Sequence, residues 1–304
     1  MPGVCLNWGN ARFHLNWHLP QLEPVDVIIL NGYQNSVTQH ILNVYAHKIP
    51  CIFWGEKIIA ESIGLKGRLQ KLFSKGLDNC RAIAAIGCKA EQDYRHRFPD
   101  KPIVNIPYYC DLTHFNQPKQ QDPKAPFTIL FCGQMIARKG LDLLLQAFHQ
   151  LLNRGYSAKL LLVGREAELP DMLQSIPEHV QQHIEFAGFQ APEDLPHFFH
   201  RADLFVLPSR YDGWGVVINQ ALGAGLPIIC SDAVGAATDL IDQGVNGFTF
   251  TSGSIEELST VLKQFLDSPS FIKTASQASA FKSEQWSPNV GAKRWLGLLK
   301  MVTA

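Results

Sequence analysis

Apolar residues along this chain gather in short runs flanked by turn-forming residues, too short to be helices buried on all sides. The first set, VDVIIL at 25–30, CIFW at 51–54, AIAAIG at 82–87 and IVNIP at 103–107, predicts parallel strands covered on both faces. A polar, proline-rich stretch, NQPKQQDPKAP at 116–126, then breaks the rhythm with the composition of an exposed linker. Beyond it the pattern restarts with FTILFC at 127–132, KLLLVG at 159–164, HIEFAG at 183–188, DLFVLP at 203–208, PIICSD at 227–232 and GFTFT at 247–251. Strands alternating with helix-length segments predict a doubly wound α/β domain.

Helix ends are legible in places. Pro192 with Glu193 and Asp194 marks a start, and Ser254 followed by Glu257 is a capping-box pattern before LSTVLKQFL. WSPNVGAKRWLGLLK at 286–300 predicts a last helix whose stripe, Val290, Trp295, Leu296 and Leu299, packs against another element. Lys293, Arg294 and Lys300 opposite that stripe leave a membrane-surface role as the alternative. The expected organisation is thus a domain over 1–120, a second over 127–285, and a terminal helix over 286–304. The first domain is the odd one. It has about four strands, and no Gly-rich strand-to-helix turn opens it, so it reads as incomplete.

Composition narrows the function. The 304 residues are 46% hydrophobic and 18% charged, which excludes a disordered chain. Twenty-seven basic side chains balance twenty-seven acidic ones, so no overall field draws the chain to nucleic acid, and a charged ligand must be met locally. Seven scattered cysteines without a C-x-x-C pair read as reduced core thiols. With no secretory leader and no long apolar run, the expected setting is cytoplasmic, with the inner face of a membrane as the alternative. His179 with His183, and His197 with His200, lack the further ligands that a metal site needs, and FFHRADLF at 198–205 reads as core.

Two loops carry candidate chemistry. In CGQMIARKGLDLLLQAF, Gly133 ends a strand and Arg138-Lys139-Gly140 opens a helix. Cations at a helix N-terminus oppose the macrodipole and favour a bound phosphate or diphosphate. In SRYDGWG, the turn at the end of DLFVLP, Gly213 and Gly215 let backbone approach a ligand and Asp212 accepts from hydroxyls. A sugar nucleotide presents all of these groups.

The segments GQMIARKG at 133–140, SRYDGWGVVINQALGAGLPIICSD at 209–232 and DQGVNGFTF at 242–250 together resemble the family 4 retaining glycosyltransferases of the GT-B type. Those enzymes carry a G-R-L-x-x-x-K-G loop and later an E-G-F-G-x-x-x-x-E-A turn and helix. The resemblance is strong over 127–303 and weaker before it, where IPYYCDLTHF is the best anchor. It implies an α/β fold of GT-B class: two Rossmann-like parallel-sheet domains facing a cleft, with about 50–80 residues missing from the first by usual domain size. It further implies metal-independent transfer of a sugar, with retention, from a nucleoside-diphosphate sugar to a glycan or lipid-linked acceptor in polysaccharide assembly.

Residue by residue, the resemblance gives Arg138 and Lys139 the diphosphate, and Asp212 the sugar. Gly133, Gly213, Trp214 and Gly215 would supply backbone contacts, Gln220 the ribose contact, and Gly164 and Phe189 the nucleobase bed. Glu56, after CIFW, would stand near the donor sugar and acceptor in place of the family's His. Three substitutions set this chain apart. Gln134 stands where the family has Arg, Asp212 is a methylene shorter than Glu, and Gln220 replaces the ribose-gripping Glu, a change expected to weaken donor binding by about 1–2 kcal/mol. They motivate a second reading, an inactive sugar-nucleotide-binding paralogue or partner subunit. A dinucleotide oxidoreductase is excluded for want of a G-x-G-x-x-G turn.

Overall fold

The structure, a computed structural model, describes residues 4–8, 11–15, 25–58, 74–116 and 126–304. The chain divides into two compact units: Met1–Pro107 with Ala292–Ala304, and Tyr108–Gly291. This division falls after Pro107, ahead of the proline-rich stretch, whose residues 117–125 lie outside the described ones. Leu112 and Phe115 belong to the second unit, where both are buried against Gly223.

In the first unit, β1 (Val4–Trp8) and β2 (Ala11–Leu15) pair antiparallel, from Val4 opposite Leu15 to Trp8 opposite Ala11. In the sequence, Gly9-Asn10 lies between the two runs, a two-residue hairpin signal. The main sheet holds β3 (Ile28–Leu30), β4 (Cys51–Gly55), β5 (Ala82–Ala85) and β6 (Ile103–Asn105), all parallel and in chain order. Helices α1 (Ser36–Val44) and α2 (Cys88–Arg97) lie between strands, and Asn35 caps α1 by accepting from the Thr38 N–H at 2.7 Å. Leu42, Phe53, Leu77, Ile83 and Tyr94 fill the core.

The terminal segment of this unit meets the sheet through Trp295, whose ring lies edge-on to Trp54 at 5.5 Å. Its buried stripe differs from the expected one: Leu298 and Val302 are covered, while Leu296 is 56% exposed. The helix, running Pro288–Thr303, buries the face through Trp295, Leu298 and Val302, spaced three and four residues apart, and Leu296 falls to one side of it.

The second unit carries β7 (Phe127–Cys132), β8 (Ala158–Val163), β9 (Ile184–Gly188), β10 (Leu204–Leu207), β11 (Ile228–Ser231) and β12 (Gly247–Phe250). All are parallel, in the order β12-β11-β10-β7-β8-β9. Crossovers from β7 march one way and those from β10 the other. Ligands of open parallel sheets bind at such a reversal, beyond the carboxyl ends of the two strands. Among the helices, α3 (Leu141–Asn153) follows β7 and buries Leu141, Leu144, Phe148 and Leu151. Ser254 caps the helix Ile255–Leu266 by accepting from the Glu257 N–H at 3.2 Å, whereas the Glu257 carboxylate accepts from Thr251, so the capping box is only half formed.

Candidate active site

Beyond the reversal, the loop after β7 and the loop after β10 touch. Gly140 takes φ +71° and a Cβ there would run into the Pro208 carbonyl, so only glycine lets the chains approach so closely. Residues Ala137–Lys139 form a single 3-10 turn and Gly140 caps the helix that begins at Leu141. Arg138 and Lys139 therefore precede the helix rather than open it, and its first turn carries Asp142, the sign the dipole favours.

Charge pairing explains how cations are tolerated here. Lys139 Nζ meets Asp212 Oδ2 at 2.5 Å, with the two side chains only 16% and 13% exposed. Arg210 grips both Asp142 oxygens, at 2.7 and 2.6 Å, and donates to the Ala137 carbonyl at 2.6 Å. Hydrogen bonding to Asp142 raises the pKa of that guanidinium further. Arg138 in turn donates to the Tyr211 carbonyl, and the Arg210 N–H to the Arg138 carbonyl, each at 2.8 Å. Sequence reasoning missed Arg210 and Asp142, because only strand order brings residues 68 apart together. Behind Lys139, burial pushes the Cys132 thiol up to about 12, so it stays protonated and is no nucleophile.

The opposite wall is the start of α4 (Val216–Gly223), capped by Gly215 at φ +92°. Asp212 forms a bridge with Val234: its N–H donates to Ala233 at 3.3 Å and its carbonyl accepts from Gly235 at 2.9 Å. A Cβ on Gly235 would strike the Gly213 carbonyl, which makes Gly235 a further residue that sequence reasoning missed. The N–H groups of Gly213, Trp214, Gly215, Val216 and Val217 find no acceptor among the described residues. Such a fan of free donors at a helix N-terminus suits an oxyanion.

Gln220 sits on the same helix, and its side-chain Oε1 is buried without a hydrogen-bond partner. Trp214 contributes backbone only, because its ring is 1% exposed and its Nε1 donates to Asn219 at 2.9 Å. On the neighbouring strands, Gly164 at φ +137° lies so close to the Gly133 carbonyl that no side chain fits. Phe189 is 66% exposed, with the Arg165 guanidinium 5.2 Å over its ring. This part of the unit thus gathers Gly133, Arg138, Lys139, Asp212, Gly213, Trp214, Gly215 and Gln220 around the reversal, with Gly164 and Phe189 on the adjoining strand ends. Glu56 belongs to the first unit, just past the carboxyl end of β4, where its carbonyl accepts from the Tyr94 hydroxyl at 2.7 Å. Among the described residues no cluster of three or more His, Cys, Asp or Glu side chains stands ready for a metal.

Residues 113–282, more than half of the chain, match the family described as Glycosyl transferases group 1. The chain belongs to that family. This glycosyl transferases group 1 chain is 24% identical over 176 residues to alpha-D-kanosaminyltransferase of Streptomyces kanamyceticus, covering 57% of this chain and 45% of that one. It is 25% identical over 228 residues to a GDP-mannose-dependent monoacylated alpha-(1-6)-phosphatidylinositol monomannoside mannosyltransferase of Corynebacterium glutamicum, covering 68% and 58%. The chain thus spans about half the length of these curated relatives. In three dimensions it resembles HepE of Anabaena in complex with UDP, with a TM-score of 0.74 at 20% identity over 91% of this chain and 79% of that one. The architecture is GT-B: α/β with two parallel sheets. No described helix is long and apolar enough to cross a membrane.

Proposed function

We propose that this chain is a glycosyltransferase that moves a sugar from a nucleoside-diphosphate sugar to an acceptor hydroxyl in glycan assembly, with retention of anomeric configuration. The observation that carries this reading is the junction of Lys139, Asp212 and the free N–H groups of 213–217 at the strand reversal, with the unpartnered Gln220 Oε1 one helical turn away. Lys139, Arg138 and those N–H groups face the diphosphate, Gln220 Oε1 accepts from a ribose hydroxyl, Phe189 and Gly164 bed the base, and Asp212 receives sugar hydroxyls. A GDP-mannose-dependent relative and a fold neighbour holding UDP support the donor class.

In the reaction the bond between the sugar C1 and the diphosphate oxygen breaks and its electron pair goes to that oxygen. The acceptor oxygen bonds to C1, and its proton passes to the departing diphosphate. The chain's part is to stabilise the growing negative charge, for which fixed cations and N–H dipoles suffice without a metal. No protein nucleophile is needed. The acceptor is a glycan or lipid-linked hydroxyl compound.

Calorimetric titration of the full chain with UDP, GDP and ADP, followed by hydrolysis assays on UDP-glucose, GDP-mannose and ADP-glucose, tests this. One base family binds and its sugar nucleotide turns over. Lys139→Ala lowers nucleotide affinity at least about tenfold, the loss of a charge-assisted contact; unaltered affinity would remove the diphosphate from Lys139. Gln134 and Gln220, amides at a cation and a carboxylate position of the family, favour a second reading as a non-catalytic sugar-nucleotide binder. Binding without turnover selects it.

A further inference from the structure

The two halves of the Lys139–Asp212 ion pair are tied down unequally. Asp212 is fixed on both sides of its backbone, through Ala233 and Gly235, within the bridge to Val234. Lys139 reaches its partner on four methylenes from a turn held by its N–H to the Ile136 carbonyl at 2.8 Å. A diphosphate arriving at the free N–H groups of 213–217 competes for the ammonium, and the lysine side chain can turn to it. The aspartate cannot leave. With its side chain 13% exposed, it then faces an oxyanion without the ammonium that had paired it and with little solvent to take its place.

What restores that carboxylate depends on the ligand. A sugar attached to the diphosphate brings O–H donors, whereas a nucleoside diphosphate ends in charged oxygens that only repel it. Resting on the donor-site reading above, we propose that the Lys139–Asp212 pair makes this site prefer the intact sugar nucleotide over the nucleoside diphosphate left after transfer. Asp212 exchanges its ammonium partner for sugar hydroxyls on donor binding, and the pair re-forms as the diphosphate departs. The ligand-free pair is thus a selectivity device and a means of product release.

The test is calorimetry of the full chain with UDP against UDP-glucose and GDP against GDP-mannose, in the wild type and in Asp212→Asn, with folding checked by circular dichroism. The wild type binds the matched sugar nucleotide about tenfold more tightly than the diphosphate, the order expected of one hydrogen bond to a charged group. Asp212→Asn tightens the diphosphate and brings the ratio towards one, while Asp212→Glu, which keeps the charge, retains the preference. If the asparagine variant does not fold, the wild-type ratio decides alone: equal or tighter binding of the diphosphate overturns the exchange. A preference that survives in folded Asp212→Asn also overturns it, while leaving the donor site in place. Failure of every chain to bind any nucleotide overturns the exchange and the donor-site reading together.

Discussion

In the first unit the parallel strands lie in chain order, β3-β4-β5-β6, whereas in the second the order reverses between β7 and β10. Both sheets have apolar strands and helical crossovers, so composition does not distinguish them. The reversal does. It sends the connections from β7 and β10 to opposite sides, leaving a crevice between two adjacent strand ends. There the second unit has its close-approach glycines, its cross-loop ion pairs and its free helix N–H groups. Ladder order, more than the residues on the strands, decides which unit holds this crevice.

The largest expected effect comes from filling the crevice floor. Gly140→Ala combines a left-handed φ with a collision against the Pro208 carbonyl. It should cost about 3 kcal/mol or more by urea unfolding, from αL strain and overpacking together. Gly32→Ala in the first unit, at φ +66° with only the Asn35 side-chain amide nearby, should cost about 1–2 kcal/mol. Equal losses would mean that contact between the two loops is not what demands glycine at 140.

A smaller change sharpens the same contrast. Gln220→Glu places a carboxylate where an amide oxygen is buried without a partner. If that atom faces the ribose, nucleoside diphosphate affinity should rise by about 1–2 kcal/mol, because a carboxylate accepts from both hydroxyls. Calorimetry reads this directly. No change in affinity would take α4 out of the nucleotide site.

How far the sequence reveals all this differs between the two units for physical reasons. FTILFC coincides with β7, and the other strands of the second unit fall within a residue or so of their apolar runs; β10 and β11, buried throughout, must be apolar along their length, whereas β9 at the sheet edge exposes Glu185 and Phe186. VDVIIL shrinks to Ile28–Leu30, which among the described residues pairs with β4 alone. The site's loops were legible as glycines and charges at strand ends. Their pairing was not: Lys139 with Asp212 and Arg210 with Asp142 depend on which strands are neighbours, and hydrophobic periodicity does not encode that. Trp214 shows the same gap at a single residue. The turn implied backbone contacts from it, but nothing in the sequence pattern said that Tyr108 and Trp286 pack around its ring or that Asn219 takes its indole N–H.

The smallest effect ought to ignore the contrast altogether. Burial raises the thiols of Cys51 to about 11 and Cys80 to about 12 in the first unit, and that of Cys132 to about 12 in the second. A raised folded-state pKa means that the unfolded chain loses its proton first. The thiols' contribution is therefore complete below about pH 9, the ordinary thiol value, and falls away as pH rises towards 11–12. Native protein at pH 8 should leave all three unlabelled by iodoacetamide, and guanidinium should expose them. Unfolding midpoints should decline between pH 9 and 12, less steeply in Cys51→Ala/Cys80→Ala. Rapid labelling of Cys132 alone would break the symmetry, because it would show the strand end behind Lys139 opening to solvent while the first unit's core stays shut.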